Sequence, residues 1–537
     1  MSPDRSVRSQ RWCLVRWVGL AAALPALWAC TSREFSAPTP TPTQAFQNKV
    51  VQKINNEIDI LFMIDNSSSM TTMQQKLLMQ LPVFMEVLQQ LPNGLPSVQV
   101  AVVSSDMGAT SDQDISGPGS NCHNNGGDNG VFFSTAQGAC LSTTLNPGAN
   151  FITDDAMQMT KNFTAADPGG IGTVFQCIGL LGSGGCGFEH QLASIDRALG
   201  GDGSPPPLQN AGFLRPEAYL GIIMLTNEDD CSAAASATPI PVFSLENGAD
   251  SLSDFDGPLT NYRCNGGPLG AHVCQDPTGP DPTAFAQPPI LPPPDAQGTA
   301  GAPTLNLTSC QDNTTGSSGL IPVSQFVSDI KKLKSDAANQ ILVGGIIAPT
   351  TPYGVEWLPG LAAGELWPQV EHSCGPAGTS TNPQGTIVSD GSFGDPGVRE
   401  TEFIHAFGAN GIVASICDDS YAMSMTTIAQ KLGALIKPKC IAGVIQQDAG
   451  GQPICTVTNE VTSGQTTQQS VVPSCASSGG AGPCWTLTPP DTTNNCPAGT
   501  QGLTLTPSPN AADPVSLSSL VECATCVAGE PNVPGCP

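Results

Sequence analysis

The chain has 537 residues, only 12% of them charged, and a formal net charge of −26 at pH 7. So acidic a surface repels nucleic acid and anionic lipid and attracts cations, which speaks against a nucleic-acid partner. More than one domain is expected at this length, and 58 glycines and 49 prolines against 5% aromatics describe long loops between core elements.

Arg5, Arg8, Arg11 and Arg16 precede an apolar stretch, Trp17 to Trp28, too short for a comfortable membrane span. It ends in Leu27-Trp28-Ala29-Cys30, which resembles a bacterial lipobox. The resemblance implies that residues 1–29 are a signal peptide and that Cys30 carries lipid, with Thr31 directing release to an outer membrane if the host has one. The alternative is an ordinary secretory signal cut near Ala29. Residues 30–54, with SAPTPTPTQ, read as an extended tether. Loss of residues 1–29 removes four arginines and Asp4, so −26 becomes −29. Of 20 cysteines, setting aside Cys13 and Cys30 leaves 18, an even number suited to disulfides in an exported protein. Connectivity is not readable, and Cys122 with Cys140, Cys177 with Cys186 and Cys264 with Cys274 are the shortest closures.

The organising stretch is Ile58 to Met70, IDILFMIDNSSSM. Six of its first seven residues are apolar, as in a strand buried on both faces. Met70, Met73, Leu77, Leu81, Phe84, Leu88 and Leu91 then form a helical stripe, interrupted by Pro82, and Val98 to Val103 supplies a second strand. Strand, turn, helix, strand is a right-handed βαβ unit. In the turn, Asp65, Ser67 and Ser69 offer oxygen alone, which suits Mg²⁺, Mn²⁺ or Ca²⁺ and not zinc. An N-capping serine cluster is the bland alternative. The D-x-S-x-S spacing after an apolar strand resembles the metal ion-dependent adhesion site of von Willebrand factor type A domains. That resemblance implies an α/β fold, a doubly wound, mostly parallel sheet flanked by helices.

Ser104-Ser105-Asp106 ends the second strand on the same face as Asp65. Gly108 to Gly185 is rich in Gly, Asn, Asp and Ser, with short strand candidates at Gly130 to Phe133 and Asn150 to Thr153, and helix resumes at Phe188. Where the resembled family carries a metal-shell threonine stands Cys186, a poor ligand for a hard ion and a candidate for a disulfide. The role is lost or moved to Ser183 or Glu189. Tyr219 to Thr226 is the third buried strand. It ends in Asn227-Glu228-Asp229-Asp230-Cys231, where the family's aspartate aligns with Asn227, and Glu228 or Asp229 could restore the missing charge. A solvated acidic loop held by Cys231 is the bland reading. The metal set is thus Asp65, Ser67, Ser69, Asn227 and Asp229.

Further on, Val323 to Asp336, Arg399 to Phe407 and Tyr421 to Ile436 read as helices, with strands at Gln340 to Ile347 and Gly411 to Ile416. The resemblance therefore covers residues 55–436, with insertions at about 105–185, 228–319 and 348–398. Residues 437–537 hold eight cysteines and one aromatic residue, Trp485, and read as a small disulfide-held β module. Cys523-Ala524-Thr525-Cys526 has zinc or redox spacing, but pairing into disulfides outweighs both in this context.

No nucleophile elbow or metal-hydrolase helix occurs, and the five histidines (123, 190, 272, 372, 405) lie in unrelated contexts, so no enzyme is expected. The resemblance implies a cell-envelope binding protein. A divalent cation, Mg²⁺ first and Mn²⁺ or Ca²⁺ otherwise, would take a carboxylate from a protein ligand, with the membrane reached by lipid anchor only. The rival is a structural envelope protein with a degenerate metal site. Long disulfide-bearing insertions and a Cys-rich tail are also similar to exported lipoproteins of myxobacteria and their relatives.

Overall fold

A run of apolar residues can be buried on both faces only if helices cover both sides of the sheet, and the strand after Asn56 shows this residue by residue. In a computed structural model, residues 48–55, 57–91, 95–109, 122, 127–135, 145–155, 160–163, 170–233, 241–243, 260–266, 270–288, 305–313, 319–359, 366–375, 392–436, 440–463, 466–479, 484–489, 500–505, 516–526 and 536 are described. The signal peptide, Cys30 and His123 lie outside them.

The chain runs β1 (Asn48–Asn55), β2 (Glu57–Ile64), α1 (Thr71–Gln89), β3 (Ser97–Ser104), β4 (Ile152–Asp155), β5 (Thr160–Lys161), α2 (Gly170–Ile178), α3 (Gln191–Leu199) and β6 (Tyr219–Leu225). There follow α4 (Asn261–Asn265), β7 (His272–Gln275), β8 (Phe285–Ala286), β9 (Leu305–Asp312), α5 (Val323–Lys332), α6 (Ala337–Gln340), β10 (Ile341–Ile347), β11 (Tyr353–Pro359), β12 (Leu366–Val370), α7 (Val398–His405), β13 (Gly411–Ser415) and α8 (Ala422–Leu435).

The central sheet has the order β13-β10-β6-β2-β3-β4-β5. The five strands from β13 to β3 are parallel, and β4 and β5 run antiparallel at one edge. Ile58, Ile60, Phe62 and Ile64 pack on one face with Leu77, Leu81 and Phe84 of α1 and Met425, Ile428 and Leu432 of α8. Leu61 and Met63 point to the other face, among Leu192 and Ile195 of α3, Phe326 and Ile330 of α5, and Phe403 of α7. The period of two thus divides one apolar strand between two cores. Phe62 lies 6.0 Å from Phe84 and 4.5 Å from Phe175, and its truncation to alanine would cost about 3–5 kcal/mol. The one carboxylate within this run, Asp59, accepts from Arg215 Nε and N at 2.8 Å each, so its charge is compensated at the amino end of the strands.

The sequence reading and the structure differ in several places. The first predicted insertion, 105–185, contributes core elements: β4, β5 and helix α2, whose Phe175 reaches Phe62. Residues 131–133 form no strand, although Phe133 N donates to Val102 O at 2.9 Å. The second and third insertions are not separate loops. They join in an antiparallel sheet, β12-β11-β9-β7-β8, over a small core of Tyr262, Leu307, Tyr353, Val355 and Val370. Strand β13 is only half-buried, because it is the sheet's edge.

The tail forms two sheets from β14 (Cys440–Ala442), β15 (Cys455–Ser463), β16 (Thr466–Val472), α9 (Cys475–Ser478), β17 (Trp485–Thr488), β18 (Thr500–Leu505) and β19 (Ser516–Thr525). One has the order β14-β18-β17 and the other β1-β19-β15-β16. Residues 48–55, expected to end the tether, are therefore a strand, paired in register from Asn48↔Thr525 to Asn55↔Ser518. Val50, Val51 and Ile54 supply the β-branched character, which a reading centred on the proline repeat overlooks.

Disulfides join Cys122–Cys186, Cys231–Cys264, Cys274–Cys310, Cys374–Cys417, Cys455–Cys523, Cys475–Cys484 and Cys526–Cys536. The three shortest-closure pairs are all overturned. Loop length counts only closure entropy, whereas the folded sheet decides which thiols meet. Cys186 is bridged as expected, and Cys523 and Cys526 belong to different disulfides, so their spacing carries neither zinc nor redox chemistry.

Candidate functional site

The strand order reads, from β4 to β13, third, second, first, fourth, fifth, sixth among the six larger strands. Connections leave the first strand, β2, in one direction and the fourth, β6, in the other. Open α/β sheets have a crevice at the carboxyl ends of two such strands. Asp65 follows β2 and Asn227 closely follows β6, which places both at this switch point.

Asp65 is fully buried. Its Oδ1 accepts from Ser67 N at 2.8 Å and Ser105 Oγ at 3.3 Å, and its Oδ2 accepts from Thr226 Oγ1 at 2.8 Å. Burial raises its pKa, and what offsets that is an amide and hydroxyls, with no positive charge among them. Gln74, from the first turns of α1, fixes the turn itself by donating Nε2 to Asp65 O and Gly182 O at 2.8 Å each.

Ser67 Oγ and Ser69 Oγ lie 3.3 Å apart, and Ser69 Oγ donates to Asn227 Oδ1 at 3.0 Å. The serines do not cap α1: its N-cap is Met70, with no side-chain cap hydrogen bond and no acid in the first turn. The bland explanation for these serines therefore fails. Two oxygens 3.3 Å apart subtend roughly 90–105° at a cation about 2.1–2.4 Å from each, the angle of neighbouring ligands. The chemistry of these donors suits a hard cation, which Asp65, Ser67, Ser69 and Asn227 Oδ1 would hold. Among the described residues no group of three His, Cys, Asp or Glu side chains is gathered to hold a metal by itself. The hydroxyls and the amide are what complete this set.

Asp229 is placed differently from the other predicted ligands. Its Oδ1 accepts from Arg399 N at 2.9 Å, and its Oδ2 meets His272 Nε2 at 2.6 Å. Burial works against its charge, but His272, Glu400 and Arg399 overcome that and hold its pKa low. His272 Nδ1 in turn lies 2.9 Å from the Tyr353 hydroxyl of β11. Asp230 accepts from Leu192 N at 2.9 Å at the start of α3 and from Arg399 Nε at 3.0 Å. Arg399 also donates to Asp312 of β9. The acidic run after β6 is therefore a buried hinge between the central sheet and the inserted sheet, not a solvated loop. Its three-way attachment leaves Asn227 at the tip and commits Asp229 to His272.

Glu189 and Glu228 complete the surroundings. They hydrogen-bond to each other, and both pKa values lie well above the carboxylate range. Burial is the main cause for each, followed by Glu228 and Asp65 for Glu189, and by Asp395 and Asp65 for Glu228. They line a small cleft with Asp229, Asn261, Asn265 and Asp395. Cys186, bridged to Cys122, holds the loop before Glu189, and Gly185 N donates to Asn66 O at 2.8 Å. A Cβ at Gly185 would stand 2.1 Å from Asn66 Oδ1, so a larger residue there would have to displace the Asn66 side chain. Sequence reasoning placed Ser105 on the face of Asp65 without giving it a role and missed Thr226 and Gln74, although Thr226 is the one polar residue closing an otherwise apolar strand. Of the histidines, His190 is buried with its pKa lowered to about 4 by burial, and His372 Nδ1 contacts Asp395 Oδ1 at 2.5 Å.

Neither a family model nor a curated protein matches this chain. Similar solved structures include a von Willebrand factor type A protein from Catenulispora acidiphila, at 10% identity and a TM-score of 0.24, over 89% of this chain and 60% of that one. The pilus adhesin SpaC from Lactobacillus rhamnosus GG, in an open conformation, matches at 10% identity and a TM-score of 0.25, over 88% and 40%. The pilus adhesin RrgA from Streptococcus pneumoniae matches at 9% identity and a TM-score of 0.25, over 88% and 58%. The chain thus spans between 40% and 60% of the length of these proteins. The fold itself rests on strand order and direction.

Proposed function

We propose that this is an exported cell-envelope protein, anchored through lipid on Cys30, that binds a protein ligand through a divalent cation at the tip of β2. One observation carries the reading. At the switch point a fully buried carboxylate, Asp65, is surrounded by neutral donors alone, beside two serine hydroxyls 3.3 Å apart that cap nothing. A bound divalent cation would supply an open coordination position for a carboxylate of the partner. Asp65 would provide the charge, Ser67 and Ser69 the hydroxyl ligands, and Asn227 an amide oxygen. No catalytic role is assigned to any of these residues.

The test is a thermal melt of the exported form with Mg²⁺, Mn²⁺ or Ca²⁺ added after chelation, compared with Asp65→Ala. Ions should raise the wild-type midpoint and leave the variant unmoved. A wild-type protein indifferent to all three ions sinks the proposal. A structural envelope protein is the second reading, supported by the bond from Ser69 Oγ to Asn227 Oδ1, which joins two of the ligands directly.

A further inference from the structure

We propose that the cleft lined by Glu189 and Glu228 takes the ammonium group of a lysine side chain carried by a protein ligand. The inference goes beyond the cation reading and holds with or without a metal at Asp65. It starts from what the polar groups lining the cleft already do. Asp229 meets Arg399 N at 2.9 Å and His272 Nε2 at 2.6 Å, one on each oxygen. Asp395 meets His372 Nδ1 and Asn261 Nδ2 at 2.5 Å each, again one on each oxygen. Asn261 Oδ1 accepts from Val370 N at 3.1 Å, and Asn265 Nδ2 donates to Asn261 O at 2.9 Å.

Glu189 differs from these. It is only 2% exposed, it lines the cleft, and its Oε1 has no hydrogen-bond partner. A buried carboxyl oxygen left without a donor is costly. The donor has to come from outside, because among the described residues lining the cleft none is Lys, Arg or His. Burial, followed by the charge of Glu228, sets the Glu189 pKa well above the carboxylate range, as expected of a carboxyl with no positive group beside it. The backbone that presents it is already fixed: Glu189 O accepts from Cys231 N at 2.8 Å, and His190 N donates to Ser105 O at 2.9 Å. Little ordering is left for a ligand to impose.

The shape of the cleft selects the ligand. Gly187, Glu228 and Asn261 are half-buried and form its mouth, while Phe188 and the Cys231–Cys264 disulfide are buried and give it apolar sides. It has room for about one water-sized group, which an ammonium matches and the wider, planar guanidinium does not. Among the described residues no group of three acids is gathered for a metal, so a single positive charge suits the cleft better than a divalent one. The methylene stem of a lysine would leave through the mouth along Phe188 and the disulfide, as long cationic side chains lie on apolar surface. A net charge of −26 draws basic partners toward the chain.

Ligand-observed NMR titration of the full exported chain in EDTA and physiological salt tests this, with Nα-acetyl-lysine amide, its Nε-acetylated form, Nα-acetyl-arginine amide and methylammonium as probes. Wild type should bind the lysine amide at least tenfold more tightly than each of the other three. Glu189→Gln should lose at least tenfold in that affinity while melting at or above the wild-type temperature, and Glu228→Gln, at the half-exposed mouth, should lose affinity in the same direction. Non-specific attraction to an acidic surface would survive both substitutions, so wild-type affinity in the two Gln variants overturns the proposal. Equal binding of the Nε-acetylated or arginine probe, or no binding of the lysine amide, overturns it as well. Equal affinity for methylammonium would assign the cleft to free amines and overturn the lysine side chain. Should Glu189→Gln not fold, Glu228→Gln and the wild-type probe ranking decide. Because EDTA is present throughout, none of these failures touches the cation reading.

Discussion

Replacing Thr226 with valine tests the frame around Asp65 with almost no change of volume. Thr226 is buried, and its hydroxyl donates to Asp65 Oδ2 at 2.8 Å while accepting from Gln191 Nε2 at 2.9 Å. Valine removes a hydrogen bond to a charged, fully desolvated oxygen, which costs about 1.5–3 kcal/mol. Gln191 keeps its second acceptor, Glu228 O, so little is added on that side. The expected loss is therefore about 2–3 kcal/mol at neutral pH, or roughly 30- to 150-fold in the folding equilibrium. Thr226→Ser keeps the hydroxyl and should recover most of it. Burial raises the folded-state pKa of Asp65 above its unfolded value, so stability falls as pH rises through that pKa. Valine raises it further, so the deficit should be largest near pH 7 and shrink in acid. Urea denaturation without metal, at neutral and acid pH, measures this. A deficit under about 0.5 kcal/mol, or one independent of pH, refutes the account of how Asp65 is held.

Three further outcomes are expected. His190, kept neutral by burial with a pKa of about 4, contributes stability that is complete above the unfolded histidine value near 6.5 and is lost as pH falls toward 4, at up to about 1.4 kcal/mol per pH unit. His190→Phe should flatten that part of the acid limb in a stability-versus-pH series, and an unchanged slope would contradict it. Breaking Cys122–Cys186 with paired serines opens a loop of 64 residues and should cost about 4 kcal/mol, read from the shift in denaturation midpoint at constant slope. Arg399→Met leaves Asp230 and Asp312 buried without their cation and should cost about 3–5 kcal/mol, whereas a loss below about 1 kcal/mol would show the clamp to be dispensable.

The central sheet was legible because its inner strands, β2, β3, β6 and β10, are buried along their whole length and so are written as mostly apolar runs. Helix α1 was legible from its stripe. Helix α2 was not, since it lies in a segment whose composition is dominated by Gly, Asn and Asp, although its own residues, GIGTVFQCI, are mostly apolar. The inserted sheet was hidden for a different reason. Strand β9 shows only two buried positions in eight, and its partners lie in two insertions separated by the whole of α5, α6 and β10. Of the site, Asp65, Ser67, Ser69 and Asn227 were readable from position after a strand, and the structure brings them together. The engagement of Asp229 by His272 was not readable, because it depends on β7 arriving from the insertion.

The pairing of β1 with β19 bears on how the protein is made. The first strand emerges at residues 48–55, yet its hydrogen-bonding partner is synthesised about 460 residues later and must also slot in beside β15. Until then two strand edges wait uncovered, which is the circumstance in which chains associate wrongly. A chain cut before residue 516 would lack β19, so β1 and β15 would lose the strand that joins them and leave their edges open.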